Sequence, residues 1–347
     1  MAHLELFSER PRELIYREYT DGELRADRVR VRVMNAAPKH GTEFTMFRAD
    51  DAFVDHDFGR DGYQMFLPLD EDKKKPFAMH PGNIWVGRVE EIGSEVEGYR
   101  IGDLVTGYGG LRPTQTPPVG NCRLVPEGMT WKQAVCYDPL HFALGGVRDG
   151  HVRLGDRVAV IGLGAIGQMT AQLARLAGAA QVIVVDPVKL RRDVAMENGA
   201  DLALDPTACD AGYEIRKATE KRGADVILET SGKYEGLQQA IRGLAYAGNV
   251  AVIGWYKSCS GGLNFGMEAH FNQPNLIFSR ACSEPNRDEP RWNFDRLCAT
   301  CWELLSKGLI RCENIVQPVV PFEEARDTYL RIERDPSDSV KMGVSFP

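Results

Sequence analysis

The distribution of hydrophobic and polar residues divides the chain into two parts that meet near residue 150. In the first 135 residues, stretches such as 28–33 alternate with period two, which is typical of half-buried β-strands. Further strand-and-turn units are predicted at 86–93 and 102–107. The segment 50–81 is polar, bears aromatic residues and has little periodicity, which indicates an inserted loop. The first part is therefore predicted to be β-rich.

The second part alternates short apolar runs with amphipathic stretches of helical period. Strands are predicted at 158–161, 182–185, 226–229 and 249–253. Helices are predicted at 168–178, 188–198, 212–222 and 234–247. This alternation predicts a parallel, doubly wound sheet. A helix at 294–307 and a strand at 340–346 are expected to follow.

A glycine-rich turn follows the first strand of this second part, with the sequence Gly162-Leu-Gly164-Ala165-Ile166-Gly167. In a dinucleotide fold the first glycine permits the tight turn and the second lets the backbone approach a pyrophosphate, while the third allows helix and strand to pack closely. The amides that begin the next helix then face the phosphates, where the helix dipole favours negative charge. The pattern predicts a dinucleotide site, with a purely structural turn as the alternative.

An acidic residue ends the next predicted strand. Asp186 lies 24 residues after Gly162 (186 − 162) and closes the apolar run 181–185. A carboxylate at this place accepts hydrogen bonds from the adenosine ribose hydroxyls and repels a 2′-phosphate. We therefore expect NAD(H) rather than NADP(H) as the cofactor.

The overall composition limits the classes of function. The 347 residues suffice for two domains, and 43% hydrophobic with 26% charged residues is typical of a soluble globular protein. No apolar run approaches the roughly 20 residues that span a bilayer, and the early charges at the N-terminus do not resemble a signal peptide. A net charge of −7 argues against nucleic acid as a partner. The eight scattered cysteines are expected to be reduced thiols of a cytoplasmic protein, with Cys298 and Cys301 packed in a helix.

Landmarks in both parts of the chain point to one family. They are Gly87-Arg-Val-Glu-Glu-Ile-Gly93, Gly102-Asp103, the glycine-rich turn, Asp186, Glu229-Thr-Ser-Gly232 and Gly248-Asn-Val-Ala-Val-Ile-Gly254. On these motifs the chain resembles the medium-chain dehydrogenase/reductase superfamily, the zinc alcohol and polyol dehydrogenases and their zinc-free relatives. The resemblance implies an α/β fold: a chaperonin-10-like, β-rich catalytic domain at 1–145 and 300–347, and a doubly wound Rossmann cofactor domain at 146–299. It also implies NAD(H), a small-molecule substrate and a homo-oligomer, either dimer or tetramer.

The positions that hold catalytic zinc in this family are altered here. The Cys-Gly-Thr/Ser-Asp segment is matched by His40-Gly41-Thr42-Glu43, Gly-His-Glu by Gly82-Asn83-Ile84, and Glu-Pro-Leu by Asp138-Pro139-Leu140. Imidazole and carboxylate bind zinc, but an asparagine amide is a poor ligand. Firmly bound zinc is not expected unless His80 or His56 contributes, and we assign no metal ligand. Residues 107–121 contain no cysteine, so the structural-zinc loop is also missing.

Without zinc, a side chain must take the proton of the substrate hydroxyl when the hydride leaves. His40 suits this role because the ordinary pKa of histidine is near neutral pH, and Asp138 would orient the imidazole or stabilise its charge. Thr42 matches the hydroxyl that relays the proton in the family. The structural alternatives are a satisfied polar histidine for His40, a turn hydroxyl for Thr42, and a helix N-cap or the turn before Pro139 for Asp138. For Glu43 we expect a structural contact.

The resemblance implies further contacts to the cofactor. Arg191 matches a position that contacts the adenosine ribose or phosphate, and a solvated charge is the alternative. Lys341 resembles the basic residue that meets the pyrophosphate, with an exposed lysine as the alternative. The nicotinamide side is expected to be flanked by two strand ends that carry Thr230, Ser231, Gly254 and the unusually bulky Trp255.

Together these features predict an NAD(H)-dependent oxidoreductase that interconverts a secondary alcohol and a ketone on a polyhydroxylated molecule, such as a sugar, polyol or cyclitol. The substrate class rests on the resemblance to the polyol branch and on the polar loop 50–81. The aromatics of this loop either roof the substrate or pack onto their own domain; they are Phe53, Phe58, Tyr63 and Phe66. Two other functions stay open: a zinc-free NAD(P)H-dependent enone or quinone reductase, and a catalytically inactive nucleotide-binding sensor.

Overall fold

The structure is a computed structural model that describes residues 2–59, 62, 64–74, 76–256 and 262–347. The strands, in chain order, are β1 (Ala2–Phe7), β2 (Ile15–Thr20), β3 (Val29–Ala37), β4 (His56–Phe58), β5 (Phe66–Pro68), β6 (Ile84–Ile92), β7 (Leu104–Tyr108), β8 (Thr114–Gln115), β9 (Cys122–Leu124), β10 (Arg157–Ile161), β11 (Gln181–Val185), β12 (Leu202–Leu204), β13 (Ala224–Glu229), β14 (Leu244–Val252), β15 (Asn275–Phe278), β16 (Val316–Pro321) and β17 (Lys341–Ser345). The α-helices are α1 (His40–Arg48), α2 (Trp131–Val135), α3 (Tyr137–Asp149), α4 (Ala165–Leu176), α5 (Lys189–Glu197), α6 (Ala211–Ala218), α7 (Tyr234–Gly243), α8 (Glu268–Asn272), α9 (Phe294–Ser306) and α10 (Ala325–Arg334).

The chain divides into two compact units, each assembled from separate segments. The first comprises Met1–Val125, Val319–Arg334 and Met342–Pro347, and the second comprises Pro126–Pro318 and Asp335–Lys341. No helix of the described residues combines the length and the apolar character that a membrane span requires.

The main sheet of the first unit has seven strands in the order β16-β17-β3-β6-β7-β9, with β8 paired to β3. The period-two pattern at 28–33 lies in β3, where Val29, Val31 and Val33 are at most 1% exposed. The two arginines between them point away from the core, so the alternation separates a buried face from a solvated one. Larger side chains complete this core, among them Phe47, Trp85 and Tyr329.

The second unit is built on a six-stranded sheet in the order β12-β11-β10-β13-β14-β15, with parallel pairing throughout. Buried strands with helices on both faces read as continuous apolar runs, as residues 158–161 and 182–185 do. The winding direction reverses between β10 and β13, and ligands bind such sheets at the carboxyl ends of the strands beside this reversal. The predicted α/β class, with one sheet-rich and one Rossmann-like domain, is confirmed.

The unit boundaries lie outside the predicted limits of the cofactor domain, at 126 and 318 instead of 146 and 299. The reason is the packing of α3, which contacts α4 and α9 in the second unit. Two glycines in α3 also allow close contact with other segments of the second unit: a Cβ at Gly145 would come within 2.9 Å of the Ala281 side chain, and one at Gly146 would collide with Ile253.

Some predicted elements differ in their limits. α4 begins at Ala165 instead of 168, because Gly164 already serves as its N-cap. The helix predicted at 234–247 ends at Gly243, since Leu244 pairs with Ala224 and opens β14. The segment 50–81, predicted as a loop, contains the short antiparallel hairpin of β4 and β5. The helix expected around the two close cysteines is α9, in which Cys301 is fully buried.

Candidate cofactor and catalytic sites

The three glycines of the turn after β10 meet three different surroundings. Gly162 has a φ of +89°, and a Cβ there would lie 2.7 Å from the Ser231 backbone. A Cβ at Gly167 would collide with the Gly162 carbonyl and lie 2.8 Å from Thr230 Oγ1. Gly164 faces open space, with nothing described within 4 Å of a Cβ. The turn is thus closed tightly on the protein side and open at Gly164, which is the shape that a pyrophosphate against backbone amides requires.

Asp186 follows β11 and is tied to the same turn. Its Oδ2 accepts the Leu163 N–H at 2.7 Å, and its Oδ1 accepts the Val188 N–H at 2.8 Å. The residue is 3% exposed. The carboxylate therefore fixes the glycine-rich turn against the start of α5, and each oxygen keeps further acceptor capacity.

Two basic residues, Arg191 and Lys341, are less exposed than a solvated surface charge would be. Arg191 Nε donates to the Ser339 carbonyl at 2.9 Å, and its guanidinium stands 3.9 Å from Asp186 Oδ2. Burial lowers the pKa of Arg191, and the Asp186 carboxylate opposes this effect. Lys341 is 3% exposed, so the alternative of an exposed lysine is wrong.

The ends of β13 and β14 meet beside the turn. Thr230 Oγ1 donates to the Gly162 carbonyl at 2.7 Å and so joins the end of β13 to the turn. The segment after β14 passes close to Gly232, because a Cβ on Gly232 would lie 3.0 Å from the Trp255 carbonyl. The Trp255 residue is 45% exposed. The predicted residues Thr230, Ser231 and Gly254 thus gather at one edge of the sheet.

A buried carboxylate at this edge was absent from the predicted site. Glu229, the last residue of β13, is fully buried. Its Oε1 accepts the Ser231 N–H at 2.8 Å and the Ser231 hydroxyl, and its Oε2 accepts the Tyr256 hydroxyl. Burial raises the pKa of Glu229, and these donors oppose the shift. An acidic residue ending an apolar strand directly before Thr-Ser-Gly was the sequence signal for it.

In the first unit, Glu43 joins two segments that carry candidate residues. Its Oε1 accepts the Lys39 N–H at the start of α1. Its Oε2 accepts the Gly82 N–H at 3.2 Å and the Tyr329 hydroxyl at 3.4 Å. Glu43 is 6% exposed, and a carboxylate in the first turn also suits the helix dipole. This is the structural contact expected for Glu43.

His40 is the first residue of α1 and is half-buried. Its ring stacks on that of Phe44, with 5.0 Å between centroids and an angle of 5° between the planes. The Tyr329 ring is T-shaped to the imidazole, with 6.3 Å between the two ring centroids. Thr42 is half-buried on the same helix. Aromatic packing thus holds the imidazole in one plane, as a general base needs.

Asn83 lies beside Gly82 and is held through its backbone, since its carbonyl accepts the Gly109 N–H at 3.0 Å. Its side-chain Oδ1 is buried and has no hydrogen-bond partner among the described residues. Gly82 has a φ of +142°, and a Cβ there would lie 2.5 Å from the Gly109 carbonyl. The backbone thus holds residue 83 firmly, but this residue is an asparagine where zinc members of the family carry a histidine.

The donor set does not fit zinc. Within the residues that the structure describes, no group of three or more His, Cys, Asp or Glu side chains is arranged to hold a metal ion. His80 Nδ1 lies 3.4 Å from Glu5 Oε2, and His56 Nδ1 lies 2.5 Å from Asp55 Oδ1. Among the three matched positions, the amide of Asn83 is the poor zinc ligand.

Asp138 belongs to the second unit, in the first turn of α3 and 7% exposed. Both structural alternatives for it are wrong, because Cys136 is the N-cap and Asp138 itself is helical. His141, one helical turn later, is 2% exposed, and its ring contacts that of Tyr137 at 4.1 Å. The sequence prediction omitted this histidine, although its spacing of three from Asp138 places both on neighbouring parts of one helix face.

The aromatic residues of segment 50–81 contact one another. Phe66 lies 5.2 Å from Phe53 and 5.1 Å from Phe58, between ring centroids. These three are 40–55% exposed, which is at odds with packing onto their own domain. Tyr63 lies outside the described residues. The role of these rings toward a substrate stays a prediction.

Known proteins resemble the chain over nearly its whole length. The model of the zinc-binding dehydrogenase family matches residues 165–289. D-Guloside 3-dehydrogenase of Escherichia coli (strain K12) is 48% identical over 343 residues, which cover 97% of this chain and 98% of the relative.

Two solved structures share the fold. Galactitol-1-phosphate dehydrogenase from Escherichia coli matches with a TM-score of 0.76 at 17% identity, covering 99% of each chain. The CurK enoyl reductase matches with a TM-score of 0.75 at 18% identity, covering 100% of this chain and 99% of the other. At such identities these likenesses show the fold alone. With the 48% relative spanning almost all of it, the chain belongs to the medium-chain dehydrogenase/reductase superfamily and is an oxidoreductase of the dehydrogenase type.

Proposed function

We propose that the protein is an NAD(H)-dependent dehydrogenase that interconverts a secondary alcohol and a ketone on a sugar or glycoside. The observation that carries this proposal is the 48% identity to D-guloside 3-dehydrogenase over 97% of the chain. A dehydrogenase that acts at position 3 of a sugar ring oxidises a secondary alcohol. The fold by itself does not choose between alcohol oxidation and double-bond reduction, because an enoyl reductase shares it.

The proposed cofactor contacts divide the dinucleotide along the sheet. Gly162, Gly164 and Gly167, with the amides of Ala165 and Ile166, would hold the pyrophosphate. Asp186 and Arg191 would hold the adenosine ribose. Thr230, Ser231, Gly254 and Trp255 would flank the nicotinamide, which exchanges the hydride when bound. The open space at Gly164 supports this assignment, since a bound phosphate must approach the backbone there.

The preference for NAD(H) is argued from Asp186. Each of its oxygens accepts one backbone N–H and has capacity left for a ribose hydroxyl. A 2′-phosphate would instead bring a second anion against a buried carboxylate. Isothermal titration with NADH and NADPH tests this, and we expect NADH to bind at least about tenfold more tightly, a difference of about 1.4 kcal/mol. Equal affinities would remove the selective role of Asp186.

The proposed proton transfer uses the chain's own residues. His40 accepts the proton of the substrate hydroxyl, with its ring plane held by Phe44. Thr42 is the proposed relay hydroxyl, and the role of Asp138 stays a prediction from the sequence. Asn83, whose buried Oδ1 has no partner among the described residues, would bind a hydroxyl of the substrate. No step runs through zinc, because the ligand positions do not suit it.

The activity is tested by incubating the purified protein with NAD⁺ and a panel of glycosides, sugars, polyols and cyclitols while NADH absorbance is recorded. We expect glycosides or sugars with a free secondary ring hydroxyl to be oxidised. A parallel panel of enones and quinones with NADPH tests the reductase alternative. NADH binding without turnover on either panel would favour the inactive sensor. We also propose a homo-oligomer in the cytoplasm, following the family and the scattered cysteines of the sequence.

A further inference from the structure

Glu229 occupies a closed pocket at the carboxyl edge of the parallel sheet. The carboxylate accepts the Ser231 N–H and hydroxyl on Oε1, and the Tyr256 hydroxyl on Oε2. A fourth donor, the Gly232 N–H, lies 3.4 Å from Oε2. Glycines close the pocket on two sides, because a Cβ at Gly236 or at Gly254 would lie 3.0 Å from a carboxylate oxygen. The charge is thus enclosed by donors and by backbone.

Simple packing does not explain a charged group at this position. The neighbouring residues form the apolar core of the second unit, which includes Ile161 and Val252, with Tyr256 packed against it. Burying a carboxylate in such a core costs free energy even when it is fully hydrogen-bonded. An apolar side chain of similar volume would fill the same space at lower cost. A polar network retained in such a place fixes a particular arrangement of the groups that it joins.

The groups that Glu229 joins lie on one side of the sheet reversal. Asp186, the proposed adenosine contact, ends β11 on the other side of β10. In a doubly wound sheet a dinucleotide lies across the reversal, with one nucleotide on each side. The ends of β13 and β14 therefore correspond to the nicotinamide half. Glu229 fixes both: it holds Ser231 directly after β13, and through Tyr256 it holds the segment after β14.

We propose that Glu229 and Tyr256 are positioning residues for the nicotinamide half of the cofactor site. This rests on the proposed NAD(H)-dependent function. The Tyr256 hydroxyl anchors the segment that carries Gly254 and Trp255, while Ser231 is anchored to the same carboxylate from the other strand. The two walls of the nicotinamide site are thus held at a set separation by one buried group. The pyrophosphate turn is joined to the end of β13 through the Thr230 hydroxyl and the Gly162 carbonyl, whereas the Tyr256 hydroxyl holds the segment after β14.

The test compares a complete cofactor with a fragment that lacks nicotinamide. NADH and ADP-ribose are titrated by calorimetry into the full chain and into Tyr256→Phe, which removes one hydroxyl and leaves the ring. We expect Tyr256→Phe to weaken NADH binding about 5- to 10-fold, in line with the loss of one hydrogen bond to a charged group, and to change ADP-ribose binding less than about twofold. The matched control is Tyr246→Phe on β14, whose side chain is exposed; it should bind both ligands as the unaltered chain does.

A second variant keeps the proposal falsifiable. Glu229→Gln replaces one acceptor oxygen with a donor amide and should raise the KM for NAD⁺ and lower kcat more than Tyr256→Phe does. Unchanged NADH binding in both variants would overturn the proposal. If the variants bound NADH and ADP-ribose equally more weakly and had a lower melting temperature, the proposal would also be overturned. That result is expected when the network has a purely structural role. Failure of the unaltered chain to bind either ligand would instead refute the proposed function itself.

Discussion

Two regions of this molecule use the same structural device but differ in what it holds. At the edge of the parallel sheet, Asp186 accepts backbone amides and so fixes the glycine-rich turn. In the first unit, Glu43 accepts the amides of Lys39 and Gly82 and so fixes the start of α1 and the segment before β6. The first carboxylate places backbone groups, whereas the second places the side chains of the neighbouring residues 40 and 83.

The comparison shows how the two kinds of site depend on sequence. A site made of backbone amides needs glycine at particular positions and tolerates few other residues there. A site made of side chains keeps its scaffold when the reactive residues change. Here Glu43 joins the two segments, while histidine and asparagine occupy positions where zinc members of the family carry ligands.

The largest effect is expected from the side-chain site. His40→Ala removes the proposed base, and kcat should fall about 10²- to 10⁴-fold, the range for general acid–base catalysis. The affinity for NADH should stay within about twofold, because the backbone site is independent of position 40. Steady-state kinetics and calorimetry measure both quantities. His270→Ala, at an exposed position of α8, is the control. Full turnover by His40→Ala would remove His40 from the mechanism.

The site made of backbone amides, the glycine-rich turn at 162–167, is tested by two substitutions of glycine with alanine. At Gly167 a Cβ would collide with the Gly162 carbonyl, so Gly167→Ala should lower the free energy of unfolding by about 3 kcal/mol. At Gly164 a Cβ meets open space, so Gly164→Ala should fold normally but bind NADH at least about tenfold more weakly, equivalent to about 1.4 kcal/mol. Urea unfolding and NADH titration measure the two effects. Equal stability losses would contradict the distinction between these glycines.

A smaller effect is expected at Asp186, the carboxylate that holds the glycine-rich turn and is proposed to contact the ribose. Asp186→Ala leaves the amides of Leu163 and Val188 without their acceptor and should cost about 1–3 kcal/mol of unfolding free energy. The preference for NADH over NADPH should fall about tenfold, since the repulsion of the 2′-phosphate disappears. Thermal unfolding and paired titrations measure these changes. Asp193→Ala on α5 is the control, and an unaltered cofactor preference in Asp186→Ala would refute the selective role.

The smallest effect concerns a buried carboxylate outside both regions. Asp149 accepts the Ser279 hydroxyl at 2.6 Å, and burial raises the pKa of this carboxyl above its usual range. The folded state therefore holds the proton more tightly than the unfolded state, and the associated stability is present at low pH and lost as pH rises through the folded pKa. Asp149→Asn lacks this titration. Its stability relative to the unaltered chain should rise as the pH increases from about 4, near the ordinary pKa of an aspartate, toward neutral. Urea unfolding across this range measures it, and parallel pH curves would contradict it.

The sequence predicted most of the second unit. The apolar runs 158–161 and 182–185 lie in β10 and β11, and the glycine spacing located the turn between β10 and α4. These features are local, because each strand or turn is specified by its own residues. The ends of helices and strands were less well predicted where pairing with a residue distant in sequence decides them. Leu244 is an example, because it belongs to β14 through its pairing with Ala224.

The contacts that build the sites were harder to predict. Glu229 and Tyr256 are 27 residues apart in sequence, and only the fold brings the phenol to the carboxylate. Tyr329 meets Glu43 across 286 residues. His141 was missed although it lies three residues after Asp138, because its burial follows from the packing of α3. Side-chain partners of this kind depend on tertiary structure, so residue type and spacing indicate the chemistry but not the contact.

The discontinuous first unit has a consequence for synthesis. Its sheet needs β17 at the side of β3, yet 193 residues separate Val125 from Val319 (319 − 125 − 1). When the first 125 residues have emerged from the ribosome, the edge of β3 that pairs with β17 is therefore unpaired. Most of the second unit emerges before β17 does. Domains generally fold as units during synthesis, and unpaired strand edges favour aggregation. The order of the segments along the chain thus favours maturation of the parallel-sheet unit first, and the strand that pairs with β3 follows it.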